Sequence, residues 1–133
     1  MAKIESDIVE TGKPAEKMHG FLSNFNNFES LMPEQITNWQ STEDKCTFTI
    51  KGMATIGMRI AEKTPHSKIH IVSDGKVPFE FTLDVLLTEI DANNCKGQLL
   101  MNADVNPFMA AMVTGPLRNF LNLLVKKMKE VPV

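Results

Sequence analysis

The three histidines have the clearest capacity for acid–base or metal chemistry. His66 and His70 are four positions apart, the spacing that aligns two side chains on a helix. The residues around them alternate between apolar and polar instead, which predicts a turn followed by a strand and rings about 13 Å apart. No nearby cysteine or carboxylate completes a metal site at a recognisable spacing. His19 is expected on the surface of a helix, and we predict no metal site.

Other groups that could support catalysis are scarce. The chain has no Tyr to donate a hydrogen bond to an oxyanion, as some isomerases with apolar pockets require. It has no nucleophile paired with a base and no glycine-rich phosphate loop. Glu80 and Asp84 are predicted on the solvent-facing side of a strand. They would form charge pairs there with the other charged residues of that face, Arg59, Lys68, Lys96 and Asp104.

Composition narrows the class of protein. At 133 residues the chain is expected to form one domain, residues 1–133, and its net charge of -2 argues against a nucleic-acid partner. No apolar run approaches the roughly 20 residues that span a bilayer, and residues 1–10 lack the apolar core of a signal peptide. Cys46 and Cys95 are isolated thiols in strand-like segments, which favours a reduced, cytosolic protein over a disulfide. We expect no cofactor and no stable membrane insertion.

Hydrophobic periodicity divides the chain into strands and helices. Residues 2–9 alternate as a half-buried strand, and Pro14 begins a helix of about three turns, followed by one more turn at residues 28–32. From residue 36 to residue 105 the period is two, interrupted by polar turns, which predicts six strands. Strands joined by short turns are antiparallel. Gly57 and Gly97 lie inside these strands and predict bulges or sharp bends.

The last segment, residues 106–130, carries the longest helical pattern. One stripe of this helix is apolar, and cationic residues near residue 127 suit the negative end of the helix dipole. Gly115 and Pro116 predict a kink or a break, because proline removes a backbone donor and clashes with the preceding turn. The half before Pro116 is apolar on nearly all sides, which predicts that it is covered on all sides.

One face of the predicted sheet is apolar, and the last helix is the long apolar element available to cover it. This order of elements, with the stretches PAEKMHGFLSNFNNFESLMP, KGMATIGMRIAEKTP and NPFMAAMVTGPLRNFLNLLVKKM, resembles the START-like superfamily. That group is also called SRPBCC, helix-grip or birch-pollen-allergen-like, and the quoted stretches look like its small bacterial members. The resemblance implies an α+β fold in which a curved seven-stranded antiparallel sheet, with two short helices after strand one, wraps around the C-terminal helix.

The resemblance also implies an apolar cavity between sheet and helix, because members of the group bind lipids, sterols and polyketides, and a minority are cyclases or other enzymes. We therefore expect an apolar small molecule or lipid as the partner. The predicted cavity-lining residues are the apolar residues of the inner sheet face and the helices: Phe25, Phe48, Ile50, Ile56, Met58, Ile60, Ile69, Ile71, Phe81, Leu83, Leu99, Met101, Phe108, Met109, Met112, Val113 and Phe120. Ser6, Asn38 and Gln40 are the polar candidates on inward-facing positions.

Three alternatives stay open at this point. The nine Met residues suit an adaptable cavity, but Met also serves as plain core filler. Phe108 and Met112 could form a cavity mouth with Phe21, Phe25 and Phe28, or these side chains could simply pack together. The protein could instead be an interaction module or weak homodimer with a filled core, or a cyclase-like enzyme. The interaction module would work through an outer patch of Trp39, Leu86 and Leu100.

Overall fold

The computed structural model describes residues 2–52, 54–75 and 77–133. Two short strands open the chain, β1 (Ala2–Glu5) and β2 (Val9–Glu10). Two helices follow, α1 (Ala15–Leu22) and α2 (Phe25–Phe28), with a 3₁₀ turn at Glu29–Leu31. Six strands then succeed one another: β3 (Ile36–Ser41), β4 (Lys45–Ile50), β5 (Ala54–Thr64), β6 (Lys68–Ser73), β7 (Phe81–Asp91) and β8 (Asn94–Ala103). The long helix α3 (Pro107–Lys127) and a 3₁₀ turn at Met128–Glu130 complete the described chain.

All the strands belong to one antiparallel sheet in the order β1-β8-β7-β6-β5-β4-β3, with β2 also paired to β8. Each of the six consecutive strands pairs with the next, as short connections require. The first strand returns to pair with the last, so β8 lies between β1 and β7. The α+β architecture predicted from the sequence is confirmed: an antiparallel sheet, short helices after the first strand, and a long C-terminal helix.

Local sequence signals explain where the helices begin. Asn106 caps α3 by accepting a hydrogen bond from the Met109 backbone N–H at 2.8 Å, and Pro107 occupies the first turn, where its missing N–H costs nothing. Asn24 caps α2 in the same way through the Asn26 N–H. Lys126 and Lys127 lie in the last turn of α3, where they oppose the negative end of the helix dipole.

The hydrophobic core lies between one face of the sheet and the C-terminal half of α3. Leu121 and Val125 of the helix are completely buried, as are Ile69, Ile71 and Leu99 of the sheet. The inward positions of β7 and β8 follow the predicted alternation. Packing against the sheet therefore holds this half of the helix, because an isolated helix of this length is marginal in water.

The N-terminal half of α3 differs from the sequence prediction. It was expected to be covered on all sides, but Phe108 is 77% exposed and Met112 is 62% exposed. Ala110 and Val113 are the residues of this half that pack against the core. The prediction was wrong because a helix that is apolar on all sides is buried on all sides only if neighbouring elements cover it, and no element of the described chain covers Phe108 and Met112. The chain places only one side of this half on the sheet.

Pro116 does not break α3, which continues as one helix from Pro107 to Lys127. With the adjoining 3₁₀ turn, the segment Pro107–Glu130 is long and apolar enough to span a membrane by length and composition. This differs from the expectation that no segment approaches that length. Of the most apolar stretch of this segment 22% is buried, and the C-terminal half of α3 packs into the core.

The first predicted strand is divided into β1 and β2. Ile4 is fully buried as expected, but Ile8 lies between the two strands and is 61% exposed. The alternation that predicted an inward Ile8 ends at Ser6, whose side chain bonds the backbone and whose N–H donates to the Leu99 carbonyl. The sheet consequently has eight strands where seven were predicted.

Gly57 and Gly97 were predicted to mark bulges or bends, but the strand pairing is regular at both positions. Each glycine instead allows a close approach. A Cβ atom at Gly57 would lie 2.3 Å from the carbonyl oxygen of Asp74, and one at Gly97 would lie 2.8 Å from the Met128 sulfur. The first neighbour is backbone, whereas the second is the end of a flexible side chain.

These two glycines give a matched test of the packing. Gly57→Ala should lower the free energy of unfolding by about 3 kcal/mol, because the Asp74 backbone must move. Gly97→Ala should cost no more than about 1 kcal/mol, because the Met128 side chain can rotate away. Urea unfolding of both variants measures the difference. Equal costs for the two variants would contradict the close backbone approach at Gly57.

Candidate functional site

An apolar cavity lies between the sheet and α3. Strands β4, β5, β7 and β8 form one wall, the C-terminal half of α3 forms the opposite wall, and the α2 region and the segment before β7 close the ends. The described residues that line it are all apolar: Phe28, Met32, Phe48, Ile50, Ala54, Ile56, Met58, Pro78, Phe79, Phe81, Leu83, Met101, Leu117, Phe120 and Leu124. No charged or hydrogen-bonding side chain belongs to this set, so the wall suits an apolar occupant.

The cavity is small in this conformation. Its volume is about 40 Å³, whereas a single water molecule needs roughly 10–15 Å³ and small-molecule pockets commonly measure about 300–1,000 Å³. A ligand of ordinary size would therefore have to displace side chains of the wall. Three of these side chains are Met32, Met58 and Met101, which have flexible, unbranched chains that adopt new rotamers readily.

The structure brings about half of the predicted cavity residues together at this wall. Those that line the cavity are Phe48, Ile50, Ile56, Met58, Phe81, Leu83, Met101 and Phe120. The others lie elsewhere: Phe25, Ile69, Ile71 and Leu99 are fully buried in the surrounding core, Ile60 and Val113 are partly buried against it, and Phe108, Met109 and Met112 are exposed. The roles of all of these residues in binding stay predictions.

Seven residues of the wall are not among the predicted cavity-lining residues. Leu117 and Leu124 belong to the same helical stripe as Phe120, so the periodicity that found one could have found all three. Phe28, Met32, Ala54, Pro78 and Phe79 come from the helical turns, a strand end and a loop. Met32, Pro78 and Phe79 lie in segments without a period that shows which way they point. Phe28 was considered only for a cavity mouth, and Ala54 shares the alternation of Ile56 and Met58.

The polar residues predicted to face inward do not line the cavity. Ser6 is buried, but its hydroxyl donates to the Asp7 carbonyl at 2.8 Å and accepts from the Leu99 N–H at 2.9 Å. Asn38 and Gln40 are exposed. A bulge between Thr37 and Gln40 moves them out of the predicted alternation.

His19 was predicted on the surface, but it is only 8% exposed. Its Nε2 atom lies 3.2 Å from the Lys68 carbonyl oxygen, and its Nδ1 lies 3.3 Å from the Ser23 hydroxyl. The ring of His66 packs edge-on against it, with ring centroids 6.3 Å apart. These contacts hold α1 against the start of β6, which a helical pattern alone does not reveal.

Asp84 was predicted among the solvent-facing charges, but it is 7% exposed. Its carboxylate lies 2.5 Å from Nδ1 of His70, its partner on the neighbouring strand, and 4.0 Å from Nζ of Lys68. Asp84 alternates with the cavity-lining Phe81 and Leu83, so it lies on the opposite face of the sheet. This pair therefore cannot reach a molecule held in the cavity.

The two cysteines are free and buried. Burial raises the pKa of the Cys46 thiol to about 12, and a hydrogen bond with the Met58 backbone lowers it by a smaller amount. Across residues 2–52, 54–75 and 77–133, no group of three or more His, Cys, Asp and Glu side chains is placed to hold a metal ion.

Comparison with solved structures assigns the fold. A START superfamily protein from Mycobacterium smegmatis superposes with a TM-score of 0.71 at 10% sequence identity, covering 96% of this chain and 97% of that one. The chain has the START-like helix-grip fold. A norcoclaurine synthase mutant from Thalictrum shares this helix-grip fold, with a TM-score of 0.69 at 11% identity over 97% of this chain and 94% of that chain.

A further helix-grip structure is the di-domain ARO/CYC BexL of the BE-7585A biosynthetic pathway. It matches with a TM-score of 0.69 at 17% identity over 95% of this chain and 46% of that chain. No protein-family model matches the sequence, and no curated protein matches it. At these identities the similarity shows the helix-grip fold alone, and it confirms the fold expected from the sequence resemblance.

The raised pKa of Cys46 gives a prediction about its reactivity. At pH 8 the Cys46 thiol stays protonated in the folded protein, because burial raises its pKa to about 12. Iodoacetamide should therefore leave Cys46 unmodified in the native protein and alkylate it readily in urea, as measured by peptide mass spectrometry. Equal labelling rates in both states would contradict this account.

The same pKa shift predicts an effect of pH on stability. Since the folded-state pKa of Cys46 lies above the ordinary value of 9.0, the unfolded state loses the thiol proton first, and Cys46 should destabilise the fold progressively from pH 9 to pH 12.

Proposed function

We propose that the protein binds an apolar small molecule or lipid in the cavity between the sheet and α3. The observation that carries the proposal is a wall made of fifteen described residues without a charged or hydrogen-bonding side chain. Such a surface gains free energy when it contacts an apolar molecule instead of water, by about 25 cal/mol for each Å² buried. The structural neighbours include proteins named for small-molecule chemistry, a norcoclaurine synthase and an ARO/CYC protein.

Binding in this proposal requires the cavity to enlarge. The wall contains Met32 after the 3₁₀ turn, Met58 on β5 and Met101 on β8. A ligand can therefore create space through small rotations of several thioether side chains. Rotating Met side chains between allowed rotamers is less costly than moving the backbone of a packed sheet. The site is therefore expected to be adaptable in ligand shape and strict in ligand polarity.

Two other functions have less support from the structure. The interaction module required Trp39 beside Leu86 and Leu100 on the outer face, but Trp39 packs against the core. Leu86 and Leu100 remain a small, half-buried outer pair. A cyclase-like reaction would need an ionisable side chain at the ligand, and the described wall provides only apolar groups. We therefore favour binding over catalysis.

Substitution at Ala54 tests the proposed site. Ala54 is the smallest residue of the wall, and Ala54→Leu should fill part of the space that a ligand needs. We expect the affinity for the uncharged fluorescent probe N-phenyl-1-naphthylamine to fall at least about tenfold, a loss of about 1.4 kcal/mol. Titration of the probe, followed by its fluorescence, measures the affinity.

Ala61→Leu is the matched control, because Ala61 lies on the same strand but is exposed. It should bind the probe as the unmodified protein does. Equal affinities for the Ala54 and Ala61 variants would mean that the probe binds outside the cavity. A complete lack of probe binding to the unmodified protein, together with apo protein only in native mass spectrometry after purification from its own host, would refute the proposed function.

A further inference from the structure

The path of β3 is distorted at one point, opposite a residue of the cavity wall. Thr37 pairs with Thr49, and Gln40 pairs with Thr47. Two residues, Asn38 and Trp39, therefore occupy the space opposite Phe48 alone. Asn38 has a φ angle of 56°, in the left-handed region that residues other than glycine adopt uncommonly and asparagine more readily than most. The strand thus contains a β-bulge with a left-handed residue.

The bulge determines the side of the sheet on which Trp39 lies. Ile36 pairs with Ile50 of the cavity wall and so faces inward, and regular alternation from Ile36 would point Trp39 outward. The extra residue reverses the alternation. The indole ring of Trp39 consequently stacks on the Phe48 ring, with centroids 5.3 Å apart and planes 17° from parallel. Bulges commonly redirect a side chain in this way next to functional sites.

The redirected indole carries an unsatisfied polar atom. Nε1 of Trp39 is buried, and among the described residues it is the one buried side-chain nitrogen or oxygen without a hydrogen-bond partner. A buried donor in this state costs about 1–3 kcal/mol. An orphan of this kind in a folded protein calls for an explanation. The bulge and the left-handed Asn38 thus place an indole with an unpartnered donor against Phe48, a residue of the cavity wall.

We propose that the Trp39 indole N–H is the hydrogen-bond donor that recognises the polar end of the ligand. This inference rests on the proposed binding function and adds the ligand's chemical class. Trp39 does not line the cavity, but its ring stacks on Phe48, which does. In this proposal a ligand that displaces the Phe48 ring reaches Nε1. The ligand then supplies the missing acceptor, and its apolar part contacts the methionines of the wall.

The chemistry of the indole restricts the polar end of the ligand. An indole N–H donates and cannot accept, so a ligand with only a donor group gains nothing from it. The described wall holds no cationic side chain, so a carboxylate would be buried without a counter-charge, which is costly. The preferred ligand is an apolar molecule with one uncharged acceptor, such as a ketone, an ester or an ether.

A pair of isosteric probes tests this inference. Hexanophenone and hexylbenzene differ only in having a carbonyl group or a methylene group at one position. Displacement of N-phenyl-1-naphthylamine gives the affinity of each probe for the unmodified protein and for Trp39→Phe, which keeps an aromatic ring and removes the N–H. Trp39→Phe should weaken hexanophenone binding about 5- to 15-fold more than hexylbenzene binding. The loss of ring area affects both probes and cancels in this ratio.

A second measurement does not depend on the variant. Trp39 is the only tryptophan of the chain, so the protein has a single indole N–H signal in a proton–nitrogen NMR spectrum. Hexanophenone should move the indole proton downfield, as hydrogen-bond formation does, and hexylbenzene should not. If Trp39→Phe fails to fold, this comparison alone decides the question.

The outcomes separate the inference from the proposed function. A preference for the ketone that disappears in Trp39→Phe, with the downfield shift, supports the inference. If both probes bind, Trp39→Phe affects them equally and the indole signal responds alike to both, the inference is wrong and the apolar site stands. If neither probe binds the unmodified protein, the inference is wrong, and apo protein only in native mass spectrometry together with no binding of N-phenyl-1-naphthylamine would then refute the proposed function as well.

Discussion

The contact between the apolar face of the sheet and the C-terminal half of α3 is the constraint on which the rest of the structure depends. Leu117, Phe120, Leu121, Leu124 and Val125 provide the helix side of this contact. The helix is not stable by itself, and the sheet would expose a continuous apolar face without it. The cavity is the part of this interface where the side chains do not fill the space completely. Its position is therefore fixed by the core.

The same contact explains the division of α3 into two unlike halves. In α3 before Leu117 only Ala110 and Val113 of the described residues pack against the core, and Phe108, Met109 and Met112 are exposed. Pro116 lies where the two halves meet and is itself exposed. Its cost to the helix is tolerated, because the packed half that follows holds α3 in place.

The fold could be predicted from the sequence because period-two alternation and one helical stripe survive in the packed protein. The alternation of Phe81, Leu83, Val85 and Leu87 specifies both the strand and its buried face. The fold was harder to predict where the burial of a side chain depends on residues that are distant in the sequence. Burial of His19 depends on the start of β6, and burial of Asp84 depends on its partners across the strands. Neither neighbour is near in sequence.

The candidate site was predictable only in part, for a related reason. Strand and helix positions such as Met58 and Phe120 were found by their periodicity, but Met32 and Phe79 come from segments without a period. The bulge at Asn38 reversed the expected direction of Trp39. A single left-handed residue has a large effect in a strand, because the side-chain period is two and one extra residue exchanges the faces.

The most direct measurement of the central claim is methyl NMR of the methionines during titration with hexylbenzene. Met32, Met58 and Met101 line the cavity, whereas Met109 and Met112 are exposed on the same protein and serve as internal controls. An adaptable apolar cavity predicts that the three wall methyl signals shift together, saturate at one ligand per chain and leave the exposed ones unchanged. Shifts confined to Met109 and Met112, or no shift at any methionine, would contradict the account.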